Sequence, residues 1–361
     1  MKRALTAAGV VLTALAAYLL AWPVPIDPVA WDAPIDRGLV DPFGANNRLR
    51  HARPIALGTH VGPEDATLGP DGHLYATTAG GIILRIDGRR NYDAFADVGG
   101  RPLGIETATD GSMIVANAYV GLQHIDLDGT VTTLLDAVAG RPLVYTDDLA
   151  IAADGTIYFS EASTRFGAQQ YGGTYEASIL DITEHGGHGA VIEFRPDTGV
   201  ARVIMDGLNF ANGVAISDSQ DYLLIAETGS YRILKHWLRG ETAGRTEVLI
   251  DNLPGFPDNI NNGLNGRFWI GLVAPRDSLL DDASDKPLLR KIAQRLPEKY
   301  RPAAVPSSHV FAINGDGEVL MDLQDSHARF PALTGVLETH DALYLTALFG
   351  NELGVLNKED L

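Results

Sequence analysis

Four short stretches of this chain place oxygen-bearing side chains in the same kind of setting. They are Gly62-Pro63-Glu64-Asp65, Tyr145-Thr146-Asp147-Asp148-Leu149, Phe210-Ala211-Asn212-Gly213-Val214 and Phe256-Pro257-Asp258-Asn259-Ile260. Each sets carboxylates or carboxamides at the start of an apolar, strand-forming run, and no cysteine or histidine stands among them. Any one alone would be read as an Asx-turn side chain in a loop. Four brought together are a set of hard oxygen donors, and gathered carboxylates repel one another unless a cation neutralises them. Six to eight oxygens from Asp, Glu and Asn make the shell that calcium takes, whereas magnesium demands a smaller, more rigid octahedron. Such a centre polarises a carbonyl while a neighbouring carboxylate, Asp148 or Asp258, activates water.

The elements that would gather these residues follow from a repeat. Turn-plus-strand units recur at Pro70-Asp71-Gly72-His73-Leu74-Tyr75, Asp110-Gly111-Ser112-Met113-Ile114-Val115 and Asp154-Gly155-Thr156-Ile157-Tyr158-Phe159. Three more stand at Ser219-Gln220-Asp221-Tyr222-Leu223-Leu224, Asn265-Gly266-Arg267-Phe268-Trp269-Ile270 and His340-Asp341-Ala342-Leu343-Tyr344-Leu345. Turn residues followed by β-branched and aromatic runs are hairpin signals. Six of them at intervals of about 40 residues, with two longer gaps, predict an all-β fold, a six-bladed β-propeller over residues 51–361. In a propeller the first strand of each blade lines the central channel, so polar residues at the starts of those strands face one another across the axis. The longer gaps mark insertions at about 163–187 and 275–306. The second predicts a short helix, with Ser284-Asp285 as N-cap and Leu288, Leu289, Ile292 and Leu296 at helical spacing. Its Lys286, Arg290, Lys291, Arg295, Lys299 and Arg301 would form a solvated basic face on a packed helix, or belong to a lid or membrane-facing patch.

Composition removes several classes of function. A net charge of −18 argues against a nucleic-acid partner, which needs a basic surface. The absence of cysteine removes disulfides, thiolate catalysis and cysteine-ligated metals. No Gly-x-Ser-x-Gly elbow is present to support a serine-hydrolase triad. His185 and His188 lack a third partner and read as loop residues, and His340 reads as part of a turn. At the N-terminus, Lys2 and Arg3 precede Ala4 to Trp22, an uncharged and mostly apolar run. As a helix it is roughly 28 Å long, close to the hydrocarbon thickness of a bilayer. Residues 1–22 are therefore expected to be a transmembrane anchor, with a cleaved signal as the alternative, placing the propeller outside the cytoplasm (periplasmic or extracellular), secreted if cleaved. Residues 23–50, with Pro23, Pro25, Pro28 and Pro34, are expected to be a spacer.

The stretches around Glu64, Asn212 and Asp258 form a recognisable set with Glu227-Thr228, Arg232-Ile233, Trp237-Leu238-Arg239-Gly240 and Leu253-Pro254-Gly255-Phe256-Pro257-Asp258-Asn259-Ile260. This set resembles the strictosidine-synthase-like family, in particular its membrane-anchored, adipocyte plasma-membrane-associated branch, from about residue 23 to the C-terminus. More distantly the chain is similar to paraoxonases and to the gluconolactonase/senescence-marker hydrolases, six-bladed calcium propellers. The resemblance implies that Glu64, Asp147, Asn212, Asp258 and Asn259 ligate a catalytic calcium. It implies that Asp65 and Asp148 are side-chain ligands of a second, structural one. Paraoxonases carry Asn-Asp where this chain has Asp147-Asp148, so Asp147 would be an anionic substitute. The acid/base glutamate of strictosidine synthases falls on Gly335, ahead of Glu338-Thr339-His340-Asp341, and the paraoxonase histidine falls near Leu103.

The expectation is a calcium-dependent hydrolase of a small-molecule ester or lactone, with Asp148, Asp258 and Asn259 as the catalytic set. The alternatives are a lyase or condensing enzyme, disfavoured by Gly335, and a non-catalytic binding propeller held together by calcium. An open coordination site favours the enzyme, and a closed one the scaffold.

Overall fold

Asp71, Asp110 and Asp154 each accept the backbone N–H two residues on, and the glycine between takes a left-handed conformation (φ 77°, 89° and 85° at Gly72, Gly111 and Gly155). Such a turn folds the chain back within two residues, and all six expected turns are the hairpin between the first and second strands of a sheet. The computed structural model, which describes residues 2–301 and 303–361, arranges six four-stranded antiparallel sheets in chain order. Their first strands are Ala66–Leu68, Pro102–Thr107, Thr146–Ile151, Ala211–Ile216, Gly255–Asn262 and Leu333–Glu338. We number the blades 1 to 6 in that order. Strand Arg53–Ala56 pairs with Glu352–Asn357 and becomes the outermost strand of blade 6, so the chain's beginning closes the ring on its end. Middle strands such as Met113–Asn117 and Ile157–Glu161 are buried along their whole length, whereas the outer strand Val200–Leu208 is mostly in contact with solvent. Cores lie between neighbouring blades, as where Phe268, Ile270 and Phe311 of blade 5 pack against Leu224, Ala226 and Ile233 of blade 4.

Helices stand outside this ring. Helix α1 is Lys2–Ala21; α2, Thr174–Glu184, lies in the connection between the second and third strands of blade 3; α3, Ser278–Asp282, and α4, Pro287–Arg295, lie in the same connection of blade 5. Both insertions thus rise from the end of the ring where the first strands begin.

Met1 lies outside the described residues, and among those described no helix is long and apolar enough to cross a membrane. Two expectations need revision. Residues 23–50 are a strap rather than a detached spacer. Ile26, Phe43 and Leu49 are buried, Trp31 stacks on His185 with ring centroids 3.9 Å apart, and Asp27 N–H donates to Glu184 Oε2 at 2.6 Å. Helix α4 begins at Pro287, with Lys286 at the cap position making no side-chain cap bond, rather than being capped by Ser284-Asp285, and its arginines are not solvated. Arg290 (2% exposed) donates to the carbonyls of Thr183, Ser284 and Val29, and Arg295 (7%) to those of Trp22 and Leu19. The physical reason is the irregular strap and the helix ends, whose carbonyls have no ladder partner and need buried donors. The leucines take the outside: Leu288 and Leu289 are 54% and 49% exposed.

Candidate metal centre

Five of the six first strands are interrupted near their start. Pairing with the second strand skips two residues between Pro102 and Ile105, Thr146 and Leu149, Ala211 and Val214, Pro257 and Ile260, and Leu333 and Val336. Glu64 and Asp65 stand at the corresponding point just before strand Ala66–Leu68. Bulges turn side chains out of the pleat, and here they sort them into two tiers. The first tier is Glu64, Leu103, Asp147, Asn212, Asp258 and Thr334; all but Thr334 line a cavity at this end of the channel. The second tier is Asp65, Gly104, Asp148, Gly213, Asn259 and Gly335, an acid or amide on odd blades and glycine on even ones.

In the first tier Glu64, Asp147, Asn212 and Asp258 are all under 7% exposed, and Asn259 is fully buried beside them. Asn259 Nδ2 donates to Glu64 Oε1 at 3.0 Å, and Asn212 hydrogen-bonds Asp258. Burial holds the Glu64 carboxyl well above the usual range, and the charges of Asp258 and Asp147 push it further. Burial and Asp258 do the same to Asp147. Asp258 rises to about 7, again through burial, with Asn212 and Arg101 opposing the shift. Each carboxylate thus resists ionisation in this site without a counter-charge.

Glu64 Oε2, Asn212 Oδ1 and Asn259 Oδ1 are buried with no hydrogen-bond partner. A buried oxygen without a donor is costly, and three on adjoining side chains have the character of a cation shell. Among the described residues no three His, Cys, Asp or Glu side chains by themselves form a metal-ligating group, so the two carboxamides have to take part. With them the donor set is all oxygen and suits calcium.

The two acids of the second tier are already engaged. Asp65 accepts Ile105 N–H at 2.9 Å and Asn261 Nδ2 at 3.0 Å; Asp148 accepts Val214 N–H and Leu149 N–H, both at 2.8 Å; Asn261 Oδ1 accepts Val336 N–H at 2.9 Å. Blades 1, 3 and 5 are thereby braced to blades 2, 4 and 6. Asp65 and Asp148 have their oxygens occupied by these braces, and neither lines the cavity. Of Asp148, Asp258 and Asn259, only Asp258 does. The glycines leave room for the braces: a Cβ on Gly104 would lie 2.5 Å from Asp148 Oδ1, and one on Gly335 would overlap Asn261 Oδ1 and sit 3.3 Å from Asn259 Cβ.

Arg101 was not foreseen. It is 5% exposed, donates from Nη1 to Gly62 O at 3.2 Å, and is the cation whose charge counters Glu64, Asp147 and Asp258. It directly precedes the first strand of blade 2, so comparing the strand starts of all six blades rather than four would have exposed it. His188 Nε2 pairs with Glu184 Oε1 at 2.7 Å, and burial beside Arg290 and Arg232 lowers His185 to about 3; the two histidines do not share a ligand. His340 is at an exposed turn, 2.7 Å from Asp341.

The cavity above the first tier is about 610 Å³. Its floor is edged by Tyr145 and Phe210, which stand just before two first strands, and by Phe256 at the start of a third, and its walls come from α2, α3, α4 and residues 303–305. Tyr145 and Phe210 pack edge to face at 5.2 Å, and the Tyr145 hydroxyl donates to Thr174 O at 2.8 Å, which ties the floor to α2.

Known proteins resemble the chain along most of its length. The strictosidine synthase family profile matches residues 147–241, and that of the strictosidine synthase-like N-terminal region matches 41–86. The adipocyte plasma membrane-associated protein of Salmo salar is 32% identical over 87% of this chain and 79% of its own. Strictosidine synthase-like protein 6 of Arabidopsis thaliana is 33% identical over 77% of this chain and 74% of its own. Among solved structures, a gluconolactonase from Xanthomonas campestris superposes with a TM-score of 0.62 at 18% identity, covering 85% of this chain and 89% of that one. The calcium-binding protein regucalcin from Agrobacterium tumefaciens gives 0.58 at 12% identity, covering 84% and 92%. At such identities the two structures speak for the propeller fold.

Proposed function

Because this chain belongs to the strictosidine synthase-like family, we propose that it is a calcium-dependent hydrolase of esters or lactones. The observation that carries the reading is the set of unpartnered oxygens of Glu64, Asn212 and Asn259 below an open cavity. A purely structural ion needs no room above it. Glu64, Asp147, Asn212, Asp258 and Asn259 would hold the calcium, whose chemistry is to polarise a substrate carbonyl and stabilise the oxyanion. The names of the gluconolactonase and regucalcin neighbours agree with a lactonase-type, calcium-binding propeller.

The chain's own groups then divide the work. Asp258 faces the cavity beside the calcium and would act as the general base, ionised by the bound cation. It takes a proton from water as the oxygen adds to the carbonyl carbon, and returns it to the alkoxide that leaves. Asn212 orients Asp258 through their hydrogen bond. Tyr145, Phe210 and Phe256 limit access of bulk water to the floor. Asp65 and Asp148 act on this reading as braces that fix the strand starts, and a second calcium is not required. Condensation of the strictosidine-synthase kind is disfavoured, since Gly335 offers no acid/base group.

Membrane association is part of the proposal, supported by relatives named for the plasma membrane and by the apolar helix α1, whose end is fastened to α4. The activity is tested by assaying the purified chain on aryl esters and lactones with calcium and with chelator. Hydrolysis that calcium restores and that Asn212→Ala lowers at saturating calcium supports the reading. Turnover indifferent to chelator, or absent on every ester and lactone at saturating calcium, overturns it.

A further inference from the structure

We infer that the substrate carries an extended apolar chain, seated along α2 and α4 and admitted across an apolar rim on α3, α4 and the loops beside them. The reactive end rests on the hydrolase reading above; the chain does not.

Three observations converge on it. The cavity walls repeat at helical spacing: Tyr175, Ile179 and Ile182 on α2, and Leu289, Ala293 and Leu296 at the end of the facing helix α4. Seven residues of helix extend about 10 Å, so each wall is an apolar stripe longer than one ring. The three arginines that border the cavity are already in use. Arg290 is held by carbonyls, Arg276 by Asp281 and Asn252, and Arg301 by Leu296 O at 2.8 Å. Along the two stripes themselves a sugar lactone, with several hydroxyls to satisfy, would find few polar partners. Finally, the rim is apolar where a soluble surface should be polar. Leu279, Val305 and Phe349 are 67%, 60% and 46% exposed around the mouth, and α4 is inverted, with its arginines inside and Leu289 out. That inversion leaves apolar side chains exposed at the mouth, where an apolar ligand would cover them.

Two measurements on the full-length protein test this together. The first is a series of 4-nitrophenyl esters from acetate to decanoate, each kept below its micellar concentration, with calcium saturating. Burial of each methylene is worth about 0.8 kcal/mol, so KM should fall roughly 3- to 4-fold per added carbon until the stripe is filled. Leu289→Asp should flatten that slope. The second is direct binding of a non-hydrolysable dodecyl ether of a fluorescent phenol, displaced by decanol but not by glucose, in calcium and in chelator alike. A falling KM series with chelator-resistant probe binding supports the inference. A KM that stays level or rises with chain length, or a probe that does not bind, overturns it. If no ester is turned over, the hydrolase reading fails, and probe binding in chelator still decides the chain site.

Discussion

Without metal, this protein should lose stability as pH rises through neutrality, and calcium should abolish most of that loss. Asp258 binds its proton up to about 7 in the folded state, against 3.8 for an ordinary aspartate. Asp65, raised to about 6 by burial, behaves in the same way. Between the unfolded and folded values the native state holds more protons, so each step up in pH disfavours it. The contribution is fully present below about 4 and lost above about 7. For Asp258 alone the loss has a ceiling of roughly 4 kcal/mol at about 1.4 kcal/mol per pH unit. Asp65 lies close enough to the same cluster that the two do not simply add. About 1.6 kcal/mol of the Asp258 contribution is already lost by pH 5, so at about 2 °C per kcal/mol for a domain of this size the metal-free melting temperature should drop by about 5 °C between pH 5 and pH 8. Millimolar calcium should recover most of it at pH 8 and little at pH 5, where protons compete for the same oxygens. Thermal melts in chelator and in calcium, for the natural chain and for Asp258→Asn, provide the readout. Asp258→Asn should flatten the metal-free profile. A metal-free melting temperature that is level or rises from pH 5 to 8, unchanged by calcium, would refute the reasoning.

Other expected outcomes can be checked with single variants. Gly335→Glu should not install the missing acid; its Cβ overlaps Asn261 and sits close to Asn259, so we expect a loss of about 3 kcal/mol or more in chemical denaturation. Arg290→Met leaves the carbonyls of Thr183 and Val29 without a donor, takes one of two from Ser284, and should cost about 3 kcal/mol, read as faster proteolysis or amide exchange in residues 23–35. Deleting residues 1–22 should move the protein from the membrane to the soluble fraction with its calcium-dependent melting intact; recovery of the full-length chain in the soluble fraction would contradict the membrane assignment.

The ring was legible because each blade announces itself locally. Asp71, Asp110 and Asp154 make their turns with the neighbouring glycine and need no information from elsewhere in the chain. The convergence at Glu64, Asp147, Asn212 and Asp258 was legible once a propeller was assumed, because strand starts must face the axis. The two-tier bulge was not, because a residue's parity in a strand gives no warning of a register break. Adjacent acids such as Asp147 and Asp148 therefore looked alike, although one lines the cavity and the other braces blade 4. Asn261, two residues past Asn259, completes the bracing for the same unforeseen reason. Helix α4 misled because hydropathy assumes that charge faces water. Arg290 and Arg295 instead serve carbonyls of distant segments, and a local pattern carries no trace of those partners.

The central claim is that the oxygens of Glu64, Asp147, Asn212, Asp258 and Asn259 form one calcium site. Calorimetric titration of chelator-stripped protein with calcium, for the natural chain, Glu64→Gln and Asn212→Ala, addresses it most directly. The account predicts one calcium per chain, since Asp65 and Asp148 are taken up by backbone N–H groups, and an affinity weakened about 100-fold by Glu64→Gln and about 10-fold or more by Asn212→Ala, corresponding to about 2.7 and 1.4 kcal/mol. No binding heat from the natural chain, or equal affinities across the three proteins, would contradict it.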